Sequence, residues 1–530
     1  MAALILAVVV SLLAVVVPLL YLVLLAAGKR SDDGRRLPLP PSPRGLPILG
    51  HLHLLGALPH RALRALAAAH GPVLLLRFGR VPTVLVSSAA AAEEVMRARD
   101  LAFASRPWSA MAERLLYGRD VGFAPYGEYW RQARRVCVVH LLSARRVLSF
   151  RRVREEEAAT LVGRVRARAA EGGGDVDLIE LLMAYSNTVV SRAAFGDGSA
   201  RGLYADVDRG RELKKVFTDF EELLGTEPVG ELLPWLSWVD TFMGLERKVR
   251  RTFEALDSVL DKVIEDHRRL REERRRTGAD DDDDVDHRDF VDVLLDVNEI
   301  DKDATIQLGT IEIKAIILDM FAAGTDTTTT AMEWAMAELL THPSAMRRAQ
   351  EELRAVVGVA SRVTEDHMDR LPYLKAVLKE TLRLHPPIPL LVPREPPADA
   401  ELQGYGIPAR TRVVINAFAI GRDPAAWGQR AEEFVPERFL DSAVDYMGQH
   451  FELVPFGAGR RGCPAVAFAE SAIEMAVASL LYHFDWEVSA AGGRGSQAGT
   501  ASPPLDMSET HGLSVRLRYG LPLIAKMHFS

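Results

Sequence analysis

Phe456-Gly457-Ala458-Gly459-Arg460-Arg461-Gly462-Cys463-Pro464-Ala465 follows Val454-Pro455 and runs into Ala465 to Phe484, an apolar stretch with helical period. Glycines at 457, 459 and 462 permit positive φ and a tight loop. The loop delivers Cys463 to the mouth of the predicted helix, where unpaired backbone N–H groups favour a thiolate. Arg460 and Arg461 add positive charge beside it. A lone cysteine is most often a small, inert core residue. A loop of this make-up instead holds a sulfur still and presents it outward.

Around that loop, the composition narrows the classes. The chain has 530 residues, 48% of them hydrophobic and 26% charged, enough for a large packed core. A net charge of −7 argues against generic nucleic-acid binding. Two cysteines, Cys137 and Cys463, exclude a disulfide framework and a multi-cysteine zinc site and fit a reducing compartment. No repeat occurs at solenoid periods, and no Gly-x-Gly-x-x-Gly motif follows a strand.

Residues 2–28 carry no charge. A helix of that length reaches roughly 35–40 Å, enough to span a bilayer with tilt. A basic n-region and a short apolar core, the marks of a cleaved signal, are missing, so residues 1–28 are expected to be a retained transmembrane anchor. Lys29, Arg30, Arg35 and Arg36 follow, which places the rest of the chain in the cytosol. Residues 29–50 form a basic, proline-rich hinge (Leu37 to Pro47), and 51–530 the catalytic body. Pro59 to His70 and Ala89 to Arg99 read as helices, and Val73 to Phe78 and Thr83 to Val86 as a hairpin. Gly172 to Gly174, Arg269 to Asp289 with its run of aspartates Asp280 to Asp284, and 491–504 read as loops. Short strands are expected at Arg412 to Asn416 and Ser514 to Arg518. The fold class is mainly α (α+β), with small sheets at both ends of a helical body.

Three further patterns carry chemistry. Glu380 and Arg383 share a helix face before His385-Pro386-Pro387, and the same spacing recurs at surface positions such as Glu351/Arg354. What sets this copy apart is its apolar setting and the later Phe434-Val435-Pro436-Glu437-Arg438-Phe439. Ile313 to Leu340 is a long helical run with Ala322-Ala323-Gly324-Thr325-Asp326-Thr327-Thr328-Thr329-Thr330 in its middle. Threonines and glycine are poor helix formers, and their hydroxyls compete for carbonyls, so a locally opened helix is expected there. Trp130 and Arg134, four apart, share a helix face.

The Phe-Gly-x-Gly-x-Arg-x-Cys frame resembles the haem-binding loop of the cytochrome P-450 family, whose cysteine thiolate is the proximal iron ligand. The resemblance covers nearly the whole chain. Asp506 to Glu509, Gly512-Leu513 and the Arg-Arg-Gly form of the loop look like the plant A-type microsomal branch. One departure is Ala465, where the family usually has glycine. The resemblance implies haem b (iron protoporphyrin IX) on Cys463, with Phe456 in the loop. It implies propionate contacts from Trp130, Arg134, Arg461, Arg394 and Arg106, and room for dioxygen at Ala323 and Gly324. Asp326 and Thr327 would deliver protons, supported by Thr328, and Glu380, Arg383 and Arg438 would form a buried structural triad.

The implied activity is a monooxygenase that inserts one oxygen atom from O2 into a small lipophilic substrate. Its electrons would come from NADPH through a separate membrane-bound NADPH–cytochrome P-450 reductase, with cytochrome b5 as an optional second donor. The implied location is the endoplasmic reticulum membrane, single-pass, with the catalytic domain cytosolic and no nucleic-acid partner. Arg131, Arg134, Arg135, Arg145, Arg146, Arg151, Arg152, Arg154 and Arg460 supply a basic docking patch on the thiolate side. Expected pocket walls are Trp108 to Phe123, Leu223 to Trp238, Met320 to Ala323, Ile388 to Val392 and Ser508 to Leu513. Leu232 to Trp238 reads as an apolar lip near the membrane or as ordinary core. Two other readings stand beside the monooxygenase: a haem-thiolate isomerase or dehydratase of oxygenated lipids, which needs no proton relay, and a non-catalytic membrane-bound haem or ligand carrier.

Overall fold

The computed structural model describes residues 37–171, 175–204, 207–277, 288–300, 307–358, 362–489 and 505–528. The expected membrane anchor, the Gly172–Gly174 loop, Asp280–Asp284 and 491–504 lie outside the described residues. Among the described residues no helix is long and apolar enough to cross a membrane.

The amino-terminal part is the expected helix and hairpin: α1 (Pro59–His70), β1 (Val73–Phe78) and β2 (Val81–Val86). Pro59 opens α1 where its missing N–H costs nothing. The hairpin turn is tighter than expected, because Val81 and Pro82 already pair with Phe78 and Arg77. The proline-rich segment is tied down at two places: Leu75 N of β1 donates to Pro41 O at 2.9 Å, and Gly406 N, in a separate ribbon of Ala400–Leu402 with Tyr405–Ile407, donates to Pro38 O at 2.9 Å.

A helical body follows. Its parts are α2 (Ala110–Leu115), α3 (Glu128–Val136), α4 (Arg151–Glu171), α5 (Leu178–Tyr204), α6 (Val207–Leu224) and α7 (Leu245–Thr277). The helix α7 continues through Arg269–Thr277, where the basic run suggested a loop. Pairs such as Arg276–Glu272 at 3.1 Å and Arg269–Asp266 at 3.0 Å offset like-charge repulsion there.

The spine is α8 (Thr310–Thr341), packed against α5, α9 (Pro372–Leu384) and α10 (Val466–His483). Nearly every α8 residue from Ile313 to Leu339 is buried, so the core sits along this helix. The expected opening at the threonines is absent. Helical structure is continuous, and the hydroxyls of Thr327 and Thr329 bond back to the carbonyls of Ala323 and Thr325 one turn earlier.

Two small sheets close the ends. β3 (Arg412–Ile415) pairs in parallel with β2, completing the first sheet. In the second, Pro522–Met527 lies between Asp175–Asp177 and Phe484–Val488, antiparallel to both. A separate two-residue ribbon, β4 (Glu509–Thr510) with β5 (Arg516–Leu517), replaces the longer strand expected at Ser514 to Arg518.

Candidate active site

The Cys463 loop is built as its glycines require. Gly457 and Gly459 have φ of 66° and 67°. A β-carbon on Gly459 would lie 2.0 Å from Met96 O, so that position excludes any side chain on two grounds. Cys463 N donates to Phe456 O at 2.9 Å, and Gly462 N to Gly459 O at 2.9 Å, closing the loop on itself. Ala465 N points at Cys463 Sγ, 3.4 Å away. The backbone of Ala465 has φ −104°, ordinary for alanine, and its methyl packs against the main core, so the departure from glycine is accommodated locally. Burial pushes the Cys463 thiol up, against the pull of the Ala465 N–H and Arg134.

Beside the sulfur lies a cavity lined by Arg106, Trp130, Arg134, Arg394, Arg461, Phe456 and Cys463 on one side and by Ala323, Gly324, Thr327 and Thr328 of α8 on the other. Every residue that the sequence nominated for the cofactor faces this one space. Arg134 Nη2 donates to Gly462 O at 2.5 Å, clamping α3 to the loop. Trp130 Nε1 donates to Val121 O at 2.9 Å, and the Arg461 guanidinium stacks over its ring at 4.0 Å. Arg461 also donates to Ala104 O and Ala124 O, both at 2.6 Å. Arg394 reaches Ala458 O at 2.8 Å, and Arg106 reaches Val392 O at 2.6 Å.

These guanidiniums are crowded. Burial, then mutual repulsion, pushes Arg461 down to about 9 and Arg106 well below its usual value; burial also lowers Arg134 and Arg394. Asp100 pairs with Arg394 at 3.3 Å and Asp120 stands near Arg461 and Arg106, but four guanidiniums against two carboxylates leave a net positive site that favours an anion. A planar dianionic group with a thiolate-binding metal fits both ends of the cavity: carboxylates against the arginines, metal against Cys463.

A family model for Cytochrome P450 matches residues 40–500. The chain belongs to the cytochrome P450 family. Similar curated proteins are Cytochrome P450 71A1 of Persea americana and Cytochrome P450 71A6 of Nepeta racemosa. The first is 45% identical over 91% of this chain and 92% of that one, the second 44% identical over 98% and 99%. A zebrafish cytochrome P450 solved with abiraterone superposes at a TM-score of 0.71 with 25% identity, covering 90% of this chain and 100% of that one. This cytochrome P450 is thus a haem-thiolate monooxygenase whose similar relatives are plant enzymes.

Within this P450 the two proton-delivery candidates part company. Thr327 lies on the cavity stripe of α8 with Ala323 and Asp319. Asp326 does not line the cavity: it is buried against the β4–β5 ribbon, where its carboxylate accepts from Ser514 Oγ and pairs with Arg516 of β5. Gly324 lines the cavity, yet a β-carbon there would strike Val190 Cγ2 at 2.9 Å, so its smallness serves helix packing.

The triad forms as a closed unit. Glu380 and Arg383 are fully buried, and Arg438 Nε donates to Glu380 Oε1 at 3.1 Å. Expected walls at Leu223 to Trp238 and Ser508 to Leu513 contribute nothing to this cavity; Trp108 and Trp238 line a separate outer cleft.

The basic patch is largely internally neutralised. Arg154 is buried against Glu365, Arg151 holds Glu155 and Asp366, and Arg152 holds Glu156 and Asp197. Sequence reading missed Asp319, the one carboxyl among the described cavity residues. Its signal was present: a single acid inside the apolar run Ala315 to Ala323, two turns before Thr327.

Proposed function

We propose that the chain is a reductase-dependent monooxygenase of plant specialised metabolism that binds haem b through Cys463 and oxidises a small lipophilic molecule at the α8 face of its cavity. The convergence of Cys463, the buried arginine cluster and the Thr327 stripe on one space carries this reading. When bound, the haem supplies the redox chemistry by which O2 is activated and one oxygen atom enters the substrate. Cys463 would hold the metal, and Arg134, Arg394, Arg461, Arg106 and Trp130 would fix the propionate edge. Thr327 places a hydroxyl in the cavity, fixed by its bond to the Ala323 carbonyl, where it can pass protons from water. Asp326 joins that relay only when its contacts with Arg516 and Ser514 open; closed, it ties α8 to the β4–β5 ribbon.

The remaining lining, including Val190, Met320, Leu382, Ile388 and Leu391, is apolar and excludes water. Electrons must come from a separate protein, and a membrane-bound NADPH–cytochrome P-450 reductase, with cytochrome b5 as an optional second donor, suits a catalytic body tethered by residues 1–28 to the endoplasmic reticulum. Exposed apolar side chains support the membrane placement: Leu37, Leu39, Leu46, Ile48 and Leu49 on the hinge, and Trp235, Trp238, Phe242 and Met243 further on. Both groups flank the β1–β2 turn, where Gly79 N donates to Leu49 O at 3.1 Å and Arg80 N to Leu232 O at 2.9 Å. Leu232 to Trp238 therefore reads as a lip at the bilayer surface.

The test is a reduced carbon-monoxide difference spectrum of purified protein and of Cys463→Ser, followed by NADPH- and O2-dependent product formation with added reductase. Wild-type protein should show the thiolate band and the variant should lose it. Product formation without O2 would support the isomerase class instead.

A further inference from the structure

His267 of α7 is buried, 5% exposed, and its ring is held between two acceptors. Nδ1 lies 2.7 Å from Val263 O, and a carbonyl only accepts, so Nδ1 carries a proton. In the neutral ring the lone pair is then on Nε2, which faces Asp289 Oδ2 at 2.9 Å. Two acceptors facing each other in a buried place need a cation between them. Asp289 immediately precedes the helix Phe290–Ile300, and Asp292 in its first turn brings a second carboxylate. One ligand atom from each of the three lies within 4.8 Å of the other two. We propose that His267, Asp289 and Asp292 bind a zinc ion that clamps α7 to the helix Phe290–Ile300. None of the three lines the Cys463 cavity, so this site is separate from the one described above.

The donor set fits that metal. Imidazole with carboxylates suits zinc, whereas magnesium and calcium take oxygen ligands. The Nδ1–H bond to Val263 O is the outer contact that fixes the tautomer and orientation of a ligating histidine. Asp289 is fixed as well: its Oδ1 accepts from Asp292 N at 2.9 Å and caps the helix. Asp292 is half-buried, and among the described residues its carboxylate accepts no hydrogen bond. An unpartnered carboxylate beside a second one is unfavourable until a cation joins them. On another side, Gly196 of α5, at φ 71°, leaves room: a β-carbon there would lie 2.6 Å from Asp289 Oδ2. The guanidiniums of Arg271 and Arg288 are held by Asp296 rather than by these carboxylates. Phe290, between two of the ligands in sequence, lines the Cys463 cavity, so a filled site would also steady that wall.

Full-length wild-type, His267→Gln and Asp292→Asn proteins are stripped with EDTA, equilibrated with zinc chloride and dialysed, and zinc per chain is counted by mass spectrometry. Wild type should keep one zinc more per chain than either variant, and each variant should bind at this site at least about tenfold more weakly. Zinc should raise the melting temperature of wild type and not of the variants, and excess magnesium should not displace it. Without metal, Asp292→Asn should melt within a few degrees of wild type, because its carboxylate holds no partner. Equal zinc in all three proteins would mean adventitious binding at other histidines and would overturn the proposal. Wild type that keeps no zinc would overturn it too, leaving a proton on Nε2 and a plain His267–Asp289 ion pair. If His267→Gln does not fold, Asp292→Asn decides by the same counts. Metal content and melting are read without turnover, so the outcome is independent of the haem-thiolate reading.

Discussion

Arg383 spends all five of its N–H donors within one shell around Glu380. Nε and Nη2 each bond the Glu380 carboxylate at 2.7 Å, Nη1 bonds Gly421 O at 2.6 Å and Ala431 O at 2.7 Å, and Nη2 also reaches Glu433 O at 2.9 Å. Lysine, with three donors and no planar fork, cannot replace it. Glu380 in turn accepts from Val435 N at 2.8 Å and from Arg438. Arg383→Lys should therefore destabilise nearly as much as Arg383→Ala, and Glu380→Ala should cost about 3–5 kcal/mol by stranding buried guanidiniums. Thermal unfolding and haem retention measure this. An Arg383→Lys protein that melts with wild type would show that the carbonyl contacts are dispensable.

Thr327 and Asp326 adjoin in sequence, but only Thr327 reaches the cavity. Thr327→Ala should leave the carbon-monoxide spectrum intact while lowering product formed per NADPH by about tenfold or more, and Thr327→Ser should restore most of it. Asp326→Asn should act mainly through the ribbon, lowering the melting temperature, because it breaks the pair with Arg516. If Asp326→Asn instead matched Thr327→Ala in uncoupling at unchanged stability, Asp326 would have to swing into the cavity during turnover.

Glu333 titrates in the opposite sense from a salt-bridged carboxylate. Burial raises it from 4.5 to about 8 against one bond from Leu517 N at 2.9 Å, and its Oε2 has no partner. The folded state therefore holds a proton that the unfolded chain releases. The stabilisation is complete below about 4.5, falls as pH rises, and is gone above about 8. Glu333→Gln keeps an acceptor for Leu517 N and removes the titration. Its melting temperature should match wild type under acidic conditions and exceed it by at least ~2 °C above the Glu333 transition. An advantage of equal size in acid and base would tie the effect to packing.

What could be read from the sequence follows from the range of the interactions. Local chemistry was legible. Pro59 opened its helix where expected, the glycines set the Cys463 loop, and the helical spacing of Glu380 and Arg383 put them on one face. Hidden were the choices that depend on which element comes to lie opposite. Asp326 faces a ribbon nearly two hundred residues downstream, and nothing local says that Arg516 will meet it there. The walls expected at Leu223 to Trp238 turned to an outer cleft because Leu232 docks on the β1–β2 turn. The basic run in α7 stayed helical because acids one turn away offset it, which a reading of charge blocks misses.

Arg460 and Arg151 separate a docking charge from a structural one. Arg460 stands beside the cysteine loop, about half exposed and paired loosely with Asp100 at 3.1 Å. Behind the same loop a second cleft, lined by Arg97, Tyr446, Met447, Gly459 and Cys463, brings the sulfur side near the surface. An acidic donor protein meeting that face would feel Arg460. Arg151, in contrast, bridges Glu155 at 2.8 Å and Asp366 at 2.6 Å, so its charge is already spoken for. Arg460→Glu should slow reductase-supported turnover about tenfold at low salt, with the deficit shrinking as salt screens the encounter, and should leave peroxide-supported turnover within about twofold. Arg151→Glu should lower the melting temperature and change both kinds of turnover in parallel. If Arg460→Glu slowed the peroxide reaction as much as the reductase reaction, its role would lie in holding the loop through Asp100 and the electron donor would dock elsewhere.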